Sequence, residues 1–460
     1  MSLASFCVAV VAQAQVSADP DRAPTLTIER YREDWSRLEN PSSATGRWTE
    51  KFKYISLRDD SSVYLTTGVE ARSRYEGYDN PDWGSRSDEG YVWHRLMPYA
   101  DLHVGDVRLF AQPILSSISA PSDRRKTPVD TTGADFLQAF LEGELDLGAG
   151  TSVRASVGRK LLSLGVGRFV STRYGPGIPQ AFDGADIVVT GQTRQVTAIY
   201  YKPVDTSPGD FDDRRSRQKT LWGFYATQWL SDGRSLGVDA YYLGFRDRRA
   251  AFEQGTGRQV LHTFGTRVFG GGGPWDWNLE AAIQRGAFAG SRNSAWGVAG
   301  DLGYRAHSVS LQPEFRIQAD IVSGDDDPND PKLSSFNSLF PNGKYLGDLT
   351  PVGPRNLMHV RPSVAIRPRG DVQIALTGAG FWRQSTSDGV YAVPGILLRS
   401  GSGSAARYIG KQVELAAAWQ ATPELNLSAS ASVFDPGSFI KDTGPSHPIR
   451  MLSATTNFRF

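Results

Sequence analysis

The C-terminal stretch LSATTNFRF (residues 452–460) carries the pattern that decides the fold. Its even-numbered residues form a mainly apolar set: Leu452, Ala454, Thr456, Phe458 and Phe460. The residues between them are polar. Successive side chains of a β-strand point to opposite faces, so this alternation predicts a strand with one apolar and one polar face. We therefore expect the last residues of the chain to form a strand of a β-sheet.

The same alternation recurs through most of the sequence after residue 60. It is clear in SVYLTTGVEARSRYEGY (62–78), in VSLQPEFRIQADIVSG (309–324) and in LNLSASASVF (425–434). The polar faces of the first two segments carry charged residues in mid-strand. A soluble β-sandwich would carry such charges only on its outer surface. The pattern therefore indicates a sheet whose polar face also meets water.

We predict about eighteen strands from this alternation. They begin near residues 62, 90, 106, 135, 151, 185, 193, 218, 234, 259, 275, 294, 308, 356, 371, 406, 424 and 450. Short turns, such as GAG at 148, alternate with long connections, such as 163–184 and 323–355; the shortest of the second class is 288–293. A closed barrel places every other connection at the same end, and closure leaves no unpaired strand edge. The predicted fold is an all-β, transmembrane, antiparallel up-and-down barrel with short periplasmic turns and long extracellular loops.

The N-terminus predicts export from the cytoplasm. LASFCVAVVA (3–12) is a short apolar run that ends in the small-x-small pattern of a signal peptide covering residues 1–14. Residues 15–60 would then form a periplasmic lead and residues 61–460 the outer-membrane barrel. Cys7, the single cysteine, would leave with the signal peptide, which excludes disulfides and thiol chemistry. The charge-rich segment ERYREDWSRLEN (29–40) fits a periplasmic lead, a small plug or a disordered segment.

The composition excludes several classes of protein. No run of eighteen apolar residues exists, so a transmembrane helix is excluded. The net charge of +1 gives no bulk attraction to nucleic acid. The chain holds 40 Arg and 10 Lys. Arginine binds carboxylates through a rigid fork and suits carboxylate-bearing ligands, although a GC-rich genome gives the same ratio.

Three stretches resemble outer-membrane proteins of the alginate export type. They are YISLRDDSSVYLTTGVEARSRYEGYDNPDWG (54–84), GRKLLSLGVGRFVSTRYGPGIPQAFDG (158–184) and SSFNSLFPNGKYLGDLTPVGPRNL (334–357). The resemblance runs from about residue 28 to the C-terminus. It implies a monomeric barrel in the outer membrane of a Gram-negative bacterium, surrounded by lipid and lipopolysaccharide and served by periplasmic export partners. It also implies that an anionic exopolysaccharide, an alginate-like polyuronate, leaves the periplasm through a polar channel. The terminal Phe resembles the signal by which such barrels are recognised for assembly.

A barrel of this size leaves a water-filled lumen, and the polar parity supplies its candidate lining residues. The basic candidates for the substrate path are Arg72, Arg74, Arg95, Arg159, Arg305, Arg316, Arg361, Arg367, Arg383 and Arg459. The acidic candidates are Glu70, Asp101, Glu142, Glu144, Asp301, Glu314, Asp320 and Glu414. The two sets either form arginine–carboxylate pairs that brace the wall or provide binding positions for a passing anion.

The distribution of these charges suggests a path. The arginines concentrate on the last five and the first two strands, whereas the fourth strand is acidic. We expect a uronate chain to move along the arginine side through weak contacts at many positions. Arg159 lies on the apolar parity and needs a bulge or a rim position to reach the lumen. The loop 163–184, with Arg168 and Arg173, either constricts the lumen or lies on the surface.

Other chemistry has little support in the sequence. The acidic loop GDDDPNDP (324–331) offers Asp325 and Asp327 to a hard cation, but it lacks the spacing of a calcium loop and suits a solvated loop as well. No histidine lies in a nucleophile motif, and we expect neither a cofactor nor an enzyme. The alternatives to polysaccharide export are a general or nutrient-uptake porin for small anionic solutes, and an enzyme or adhesin built on a barrel.

Overall fold

A computed structural model describes residues 24–60, 62–121 and 127–460. The predicted signal peptide and Cys7 lie outside these residues. Eighteen strands make up the main sheet. In chain order, β1 to β18 are Val63–Asp79, Glu89–Val104, Val107–Ser119, Thr132–Gly148, Thr151–Leu161, Ala181–Thr190, Arg194–Asp205, Lys219–Trp229, Leu236–Phe252, Gly255–Gly272, Trp275–Phe288, Ser291–Arg305, Glu314–Val322, Leu357–Arg369, Val372–Trp382, Tyr408–Gln420, Leu425–Pro436 and Ile449–Arg459.

Helical structure in the described residues is confined to short segments. Two α-helical turns, Pro81–Gly84 and Ser438–Asp442, lie in loops. The 3-10 turns are Arg30–Arg32, Ser36–Glu39, Pro41–Ser43, Trp48–Phe52, Asp232–Arg234 and Gly401–Gly403. The remaining short strands are Ile55–Ser56, Arg214–Arg215, Val390–Tyr391 and Leu397–Arg399. None of the described helices has the length and apolar character needed to span a bilayer.

The sheet closes on itself. Each strand is antiparallel to its sequence neighbours, and β18 pairs with β1 in a register that sets Arg459 opposite Glu70. Beyond β18, the amide and the carbonyl of Phe460 both bond to Val69 at 3.1 Å. The C-terminal strand therefore has a partner on each side, as the alternation of its residues requires. The predicted closed antiparallel barrel is confirmed.

The connections alternate between the two ends of the barrel. One end holds eight turns of two to eight residues, for example 105–106, 149–150 and 370–371, and it also holds both ends of the described chain. The opposite end holds the long loops, including 162–180 and 323–356. Strands of 9 to 18 residues are long enough to cross a bilayer when tilted.

Seventeen strands begin within four residues of their predicted positions, and β13 is the exception. Its predicted start at 308 is wrong, because residues 306–313 form a turn and the strand begins at Glu314. Leu311 and Gln312 have φ of 66° and 43°, and Pro313 has no amide proton to donate to a sheet. Two loop-end connections, 253–254 and 289–290, are also shorter than predicted, since β9 to β12 extend as two tight hairpins.

The two faces of the wall differ in chemistry as the alternation predicts. Apolar side chains such as Leu279, Leu415 and Leu452 point outward and are between 51% and 60% exposed. Their neighbours Glu280 and Glu414 point inward and are buried. In a membrane the exposed apolar face contacts lipid chains, and the polar face lies inside the barrel.

Candidate functional site: a lumen narrowed by two inward loops

Two loops from the loop end fold into the barrel, and we name them loop A (162–180) and loop B (323–356). Backbone hydrogen bonds join them, from Ser171 N to Phe340 O at 3.0 Å and from Phe340 N to Phe169 O at 2.8 Å. The ring of Phe169 packs against that of Phe336 with centroids 5.6 Å apart. These side chains belong to the main apolar cluster of the molecule. The loops therefore form one inner layer that narrows the lumen.

The two loop arginines singled out in the sequence hold this layer in place. Arg168 donates to Asn278 and to Glu280 at 2.7 Å on the wall, and to the hydroxyl of Tyr345 in loop B at 2.8 Å. Its remaining nitrogen lies 3.3 Å from Asp301. Arg173 donates to two carbonyls of loop B, Leu339 O and Pro341 O. Loop A thus enters the lumen, and its arginines make internal contacts there.

Three wall arginines on β18, β1 and β2 donate hydrogen bonds to loop A. Arg72 donates to Tyr174 O at 3.0 Å and Gly175 O at 2.8 Å, and Arg95 donates to the same stretch of backbone. Arg459 donates to the Tyr174 hydroxyl at 2.8 Å. Glu70 lies between Arg95 and Arg459, with contacts of 2.7 and 3.1 Å. The predicted arginine path on these strands is instead an anchor for the loop.

Loop B has a corresponding anchor at Asp348. Its carboxylate accepts from Arg74 at 2.8 Å and from Ser430 and Ser453 at 2.6 Å, and it also pairs with Lys344. The amide of Asp348 donates to Glu414 at 2.7 Å. Burial alone would raise the pKa of Asp348, but Lys344 and Arg74 lower it well below its ordinary value. The residue stays ionised and holds loop B to the wall.

The N-terminal segment fills part of the lumen from the turn end. The Tyr31 ring packs against Phe110 and Phe140 of the wall, at centroid distances of 6.0 and 5.3 Å. Its hydroxyl donates to Leu161 O at 3.2 Å, and its carbonyl accepts from Arg108. Ile28 of the N-terminal segment packs against the apolar cluster that contains Ile178 of loop A. The β2–β5 side of the lumen is therefore filled from both ends.

The acidic candidates on that side fall into two groups. Glu142 lies 3.3 Å from Arg108 and 3.1 Å from Lys160, so its charge is compensated. Asp101 pairs with Arg108 at 2.6 Å. Glu144 is exposed and lines an open cavity of about 490 Å³ at the turn end, together with Asp106, Asp146, Arg154, Ser152 and Thr190.

The wall formed by β12 to β14 carries a separate group of charges. Arg305 pairs with Glu314 at 2.5 Å, and Arg316 contacts Asp301 at 2.8 Å. Arg367 lies 3.5 Å from Glu314, and one of its terminal nitrogens has no partner. These pairs line the turn-end half of the lumen on the side opposite to the N-terminal segment.

Arg361, the fifth residue of β14 counted from the loop end, resembles Arg367 in making only a long ion contact. It is 7% exposed, yet within the part of the chain that the structure describes its guanidinium donates no hydrogen bond. Its single ion contact is with Glu414 at 3.9 Å. Beside it, His359 lies 3.7 Å from Asp320. Arg361 therefore has donor capacity left for a ligand in the lumen.

Two predicted lumen positions are wrong. Arg159 points away from the lumen and pairs with Asp183 at 2.8 Å and with Asp135 at 3.2 Å, as its place on the apolar parity requires. Arg383 lies just beyond β15, where the strand has ended and parity no longer applies. Its side chain is fully buried in the loop 383–407, where it donates to several carbonyls and lies over the Phe439 ring.

The acidic loop residues also have protein partners. Asp325 accepts from Ser334 N at 2.7 Å and from Gln254 at 2.6 Å. Asp327 accepts from Asn329 N at 3.0 Å. Among the described residues, the carboxylates close enough to share a cation are those of Asp135, Asp212 and Asp213, next to Arg159.

Sequence patterns missed the residues that fix the two loops. Tyr174 and Asp348 both lie in stretches that carry the family resemblance, but neither follows a strand parity. Their importance comes from contacts with residues more than 80 positions away, such as Arg72 and Ser430. Only the family resemblance could have pointed to them.

A closed barrel with a lipid-facing apolar surface and a polar interior has the architecture of an outer-membrane channel of Gram-negative bacteria. Comparison with known families agrees with this class. The sequence pattern of the family described as "Alginate export" matches residues 63–451, which is most of the chain. The protein belongs to the alginate export family. No curated protein sequence matches it.

Solved structures with the same fold are porins of low sequence identity. Pseudomonas aeruginosa OccK2 (OpdF) in complex with glucuronate has a TM-score of 0.56 at 10% identity, covering 86% of this chain and 98% of its own. Pseudomonas aeruginosa OpdK with vanillate has a TM-score of 0.57 at 12% identity, with the same coverage. Acinetobacter baumannii OccAB1 has a TM-score of 0.57 at 10% identity, covering 90% and 99%. At such identities the similarity establishes the fold alone.

Proposed function

We propose that this channel exports an anionic, uronate-containing polysaccharide from the periplasm through the lumen bounded by β12 to β17. The observation that carries the proposal is the state of Arg361. Like Arg367 nearer the turn end, it donates no side-chain hydrogen bond within the described residues, whereas Arg72, Arg95 and Arg459 donate to loop A. The alginate export family supports the choice of a polyuronate.

Arginine suits such a cargo because its planar guanidinium binds a carboxylate through two parallel hydrogen bonds. Glu414, at 3.9 Å, is close enough to compete for Arg361 but too distant to saturate it. A uronate carboxylate would displace this weak contact and then be released again. Movement through a channel requires such weak binding at more than one position, and Arg367 provides a further one nearer the turn end.

A second candidate function is uptake of small carboxylate solutes. Two structures with the same fold contain glucuronate and vanillate, which are small carboxylate compounds. Loops A and B also narrow the lumen from the outside, an arrangement that suits a small solute. In this case Arg361 would bind one carboxylate at a time, and chain length would not increase binding.

The test is single-channel recording in planar bilayers with oligouronates added on the turn-end side. We expect the wild-type current to be interrupted by oligouronates, and Arg361→Gln to shorten the mean blockade about tenfold, which corresponds to about 1.4 kcal/mol. Arg369→Gln is the matched control, because Arg369 is exposed at the last position of β14, beside the turn at 370–371, and pairs with Asp371. Equal blockade by the wild-type and the Arg361→Gln channel would refute the role of Arg361.

Chain length separates the two functions. Export of a polymer predicts that blockade lengthens from monomer to hexamer, because a chain contacts Arg367 and Arg361 together. Uptake of small solutes predicts equal blockade by glucuronate and by the hexamer, or exclusion of the hexamer. A neutral oligosaccharide of the same length measures the contribution of the carboxylates.

A further inference from the structure

The outward face of β8 to β12 changes from apolar to cationic towards the loop end. Strand register places five outward side chains side by side in one row: Phe224, Tyr242, Phe264, Ile283 and Trp296. Four of these, all but Tyr242, are between 42% and 58% exposed. Aromatic side chains of this kind mark the boundary between lipid chains and headgroups. The row therefore locates the outer boundary of the apolar band on this side of the barrel.

The next outward row towards the loop end is mixed. It contains Trp222, His262 and Arg285 in register with one another through Gly244. The indole of Trp222 donates to the Tyr242 hydroxyl at 3.2 Å, which in turn lies 2.8 Å from the Nδ1 atom of His262. This hydrogen-bonded chain passes through Tyr242 of the aromatic row and ends at His262, which lies opposite Arg285 in the sheet.

Beyond this chain the face is basic. Arg246 and Arg292 lie in one row, joined in register through Val260 and Ala287. Arg258 lies on β10 two residues nearer the loop end than Val260 and has the same parity. Arg258, Arg285 and Arg292 are exposed, and the Nε atom of Arg246 is buried without a partner. We name Arg246, Arg258, Arg285 and Arg292 the outer arginine patch.

The patch is not neutralised by the protein. Within residues 24–60, 62–121 and 127–460, none of its four arginines has a carboxylate within 4.0 Å. Two outward cations on other strands at the same end are paired: Lys411 lies 3.5 Å from Asp435, and Arg450 lies 2.5 Å from Asp79.

We propose that the outer arginine patch binds the phosphate groups of the outer-leaflet glycolipid, in the way that arginine forks bind phosphate oxygens. The patch faces away from the lumen, so the transported solute does not reach it. It lies just beyond the aromatic row, at the depth of lipid headgroups, and the chain termini at the opposite end place it on the outside. Charge complementarity with a phosphorylated headgroup accounts for cations that have no carboxylate partner in the described part of the chain.

The test uses detergent-solubilised, full-length protein and native mass spectrometry with added diphosphoryl lipid A. We expect bound lipid A on the wild type, and at least a tenfold weaker apparent affinity for the variant with Arg246, Arg258, Arg285 and Arg292 each changed to Gln. The control variant carries Lys411→Gln and Arg450→Gln, two outward cations at the same end, and should bind as the wild type does.

Dephosphorylated lipid A and inorganic phosphate separate the contributions of acyl chains and free phosphate. We expect dephosphorylated lipid A to bind the wild type as weakly as the quadruple variant binds the phosphorylated form, with no competition by millimolar phosphate. Equal lipid A binding by the wild type and the quadruple variant would overturn the proposal. A heat-modifiable gel shift establishes that each variant is folded, and oligouronate blockade should be unchanged in all of them.

Discussion

Asp348 receives hydrogen bonds from residues on three different strands and thereby fixes loop B inside the lumen. Asp348→Ala would remove the partner of Arg74, Ser430 and Ser453 at one step. Removing one member of a buried ion pair typically costs about 3–5 kcal/mol, because the remaining charge is left uncompensated. We expect loop B to detach and the single-channel conductance to rise. Asp327→Ala, in an exposed part of the same loop, should leave the conductance unchanged.

Asp325 makes the contact between loop B and the loop 383–407 sensitive to pH. Burial, with a further contribution from nearby Asp388, raises the pKa of Asp325 to about 6. The folded loop therefore holds the proton more tightly than the unfolded loop. The contact is strongest at low pH and weakens as the pH rises from about 4 through 6. Asp388 also has a raised pKa, mainly from burial, and acts in the same direction.

We therefore expect more frequent transitions between conductance levels at pH 7.5 than at pH 5. The measurement is the event rate in bilayer recordings at the two pH values. Asp325→Asn cannot ionise and should reduce the difference between them. A pH response of the same size in Asp325→Asn would show that another group is responsible.

Arg383 is expected to stabilise a loop and to have no direct part in transport. Arg383→Ala would leave the carbonyls of Ser404 and Ala406 without their donor, at about 1–3 kcal/mol for each buried group. We expect faster proteolysis of the loop 383–407, with oligouronate blockade retained. Loss of blockade together with an intact loop would place Arg383 on the substrate path after all.

At the scale of elements, the N-terminal segment is the part whose removal should change the lumen most simply. Residues 24–46 place Tyr31 against the wall, whereas Arg47 pairs with Glu424 at 2.9 Å and Trp48 packs on Phe460. Deletion of residues 24–46 should open the turn-end mouth and leave the contacts at the barrel seam intact. We expect higher conductance with an unchanged heat-modifiable gel shift. Unchanged conductance would mean that the segment does not obstruct the ion path.

The strands could be predicted from sequence and the loop anchors could not, for a physical reason. Parity is a local property that the sequence shows directly, and Arg361 and Glu414, which it predicts for the inner face, are both buried. The predicted lumen position of Arg383 rested on strand parity, but the strand ends at residue 382, one position before Arg383. Arg72 has the correct orientation but contacts loop A, about 100 residues away, and no periodicity encodes that contact.

At the scale of the whole molecule, the alternation of apolar and polar residues gives the barrel an outer face for lipid and an inner face for water. The outward parity contacts lipid and, near the loop end, gives way to the outer arginine patch. The inward parity surrounds water, two inserted loops and the N-terminal segment. Four of the ten arginines predicted for the substrate path, Arg72, Arg74, Arg95 and Arg459, instead contact the inserted loops. Under the proposed function, the selectivity of the channel depends on Arg361 and the charged residues beside it.

Single-channel recording with oligouronates and with neutral oligosaccharides of equal length tests this view of the lumen most directly. We predict that turn-end addition of oligouronates interrupts the current in a length-dependent way and that neutral chains do so at least tenfold less often. Equal interruption by charged and neutral chains, or a barrel that conducts but ignores both, would contradict a carboxylate path past Arg361.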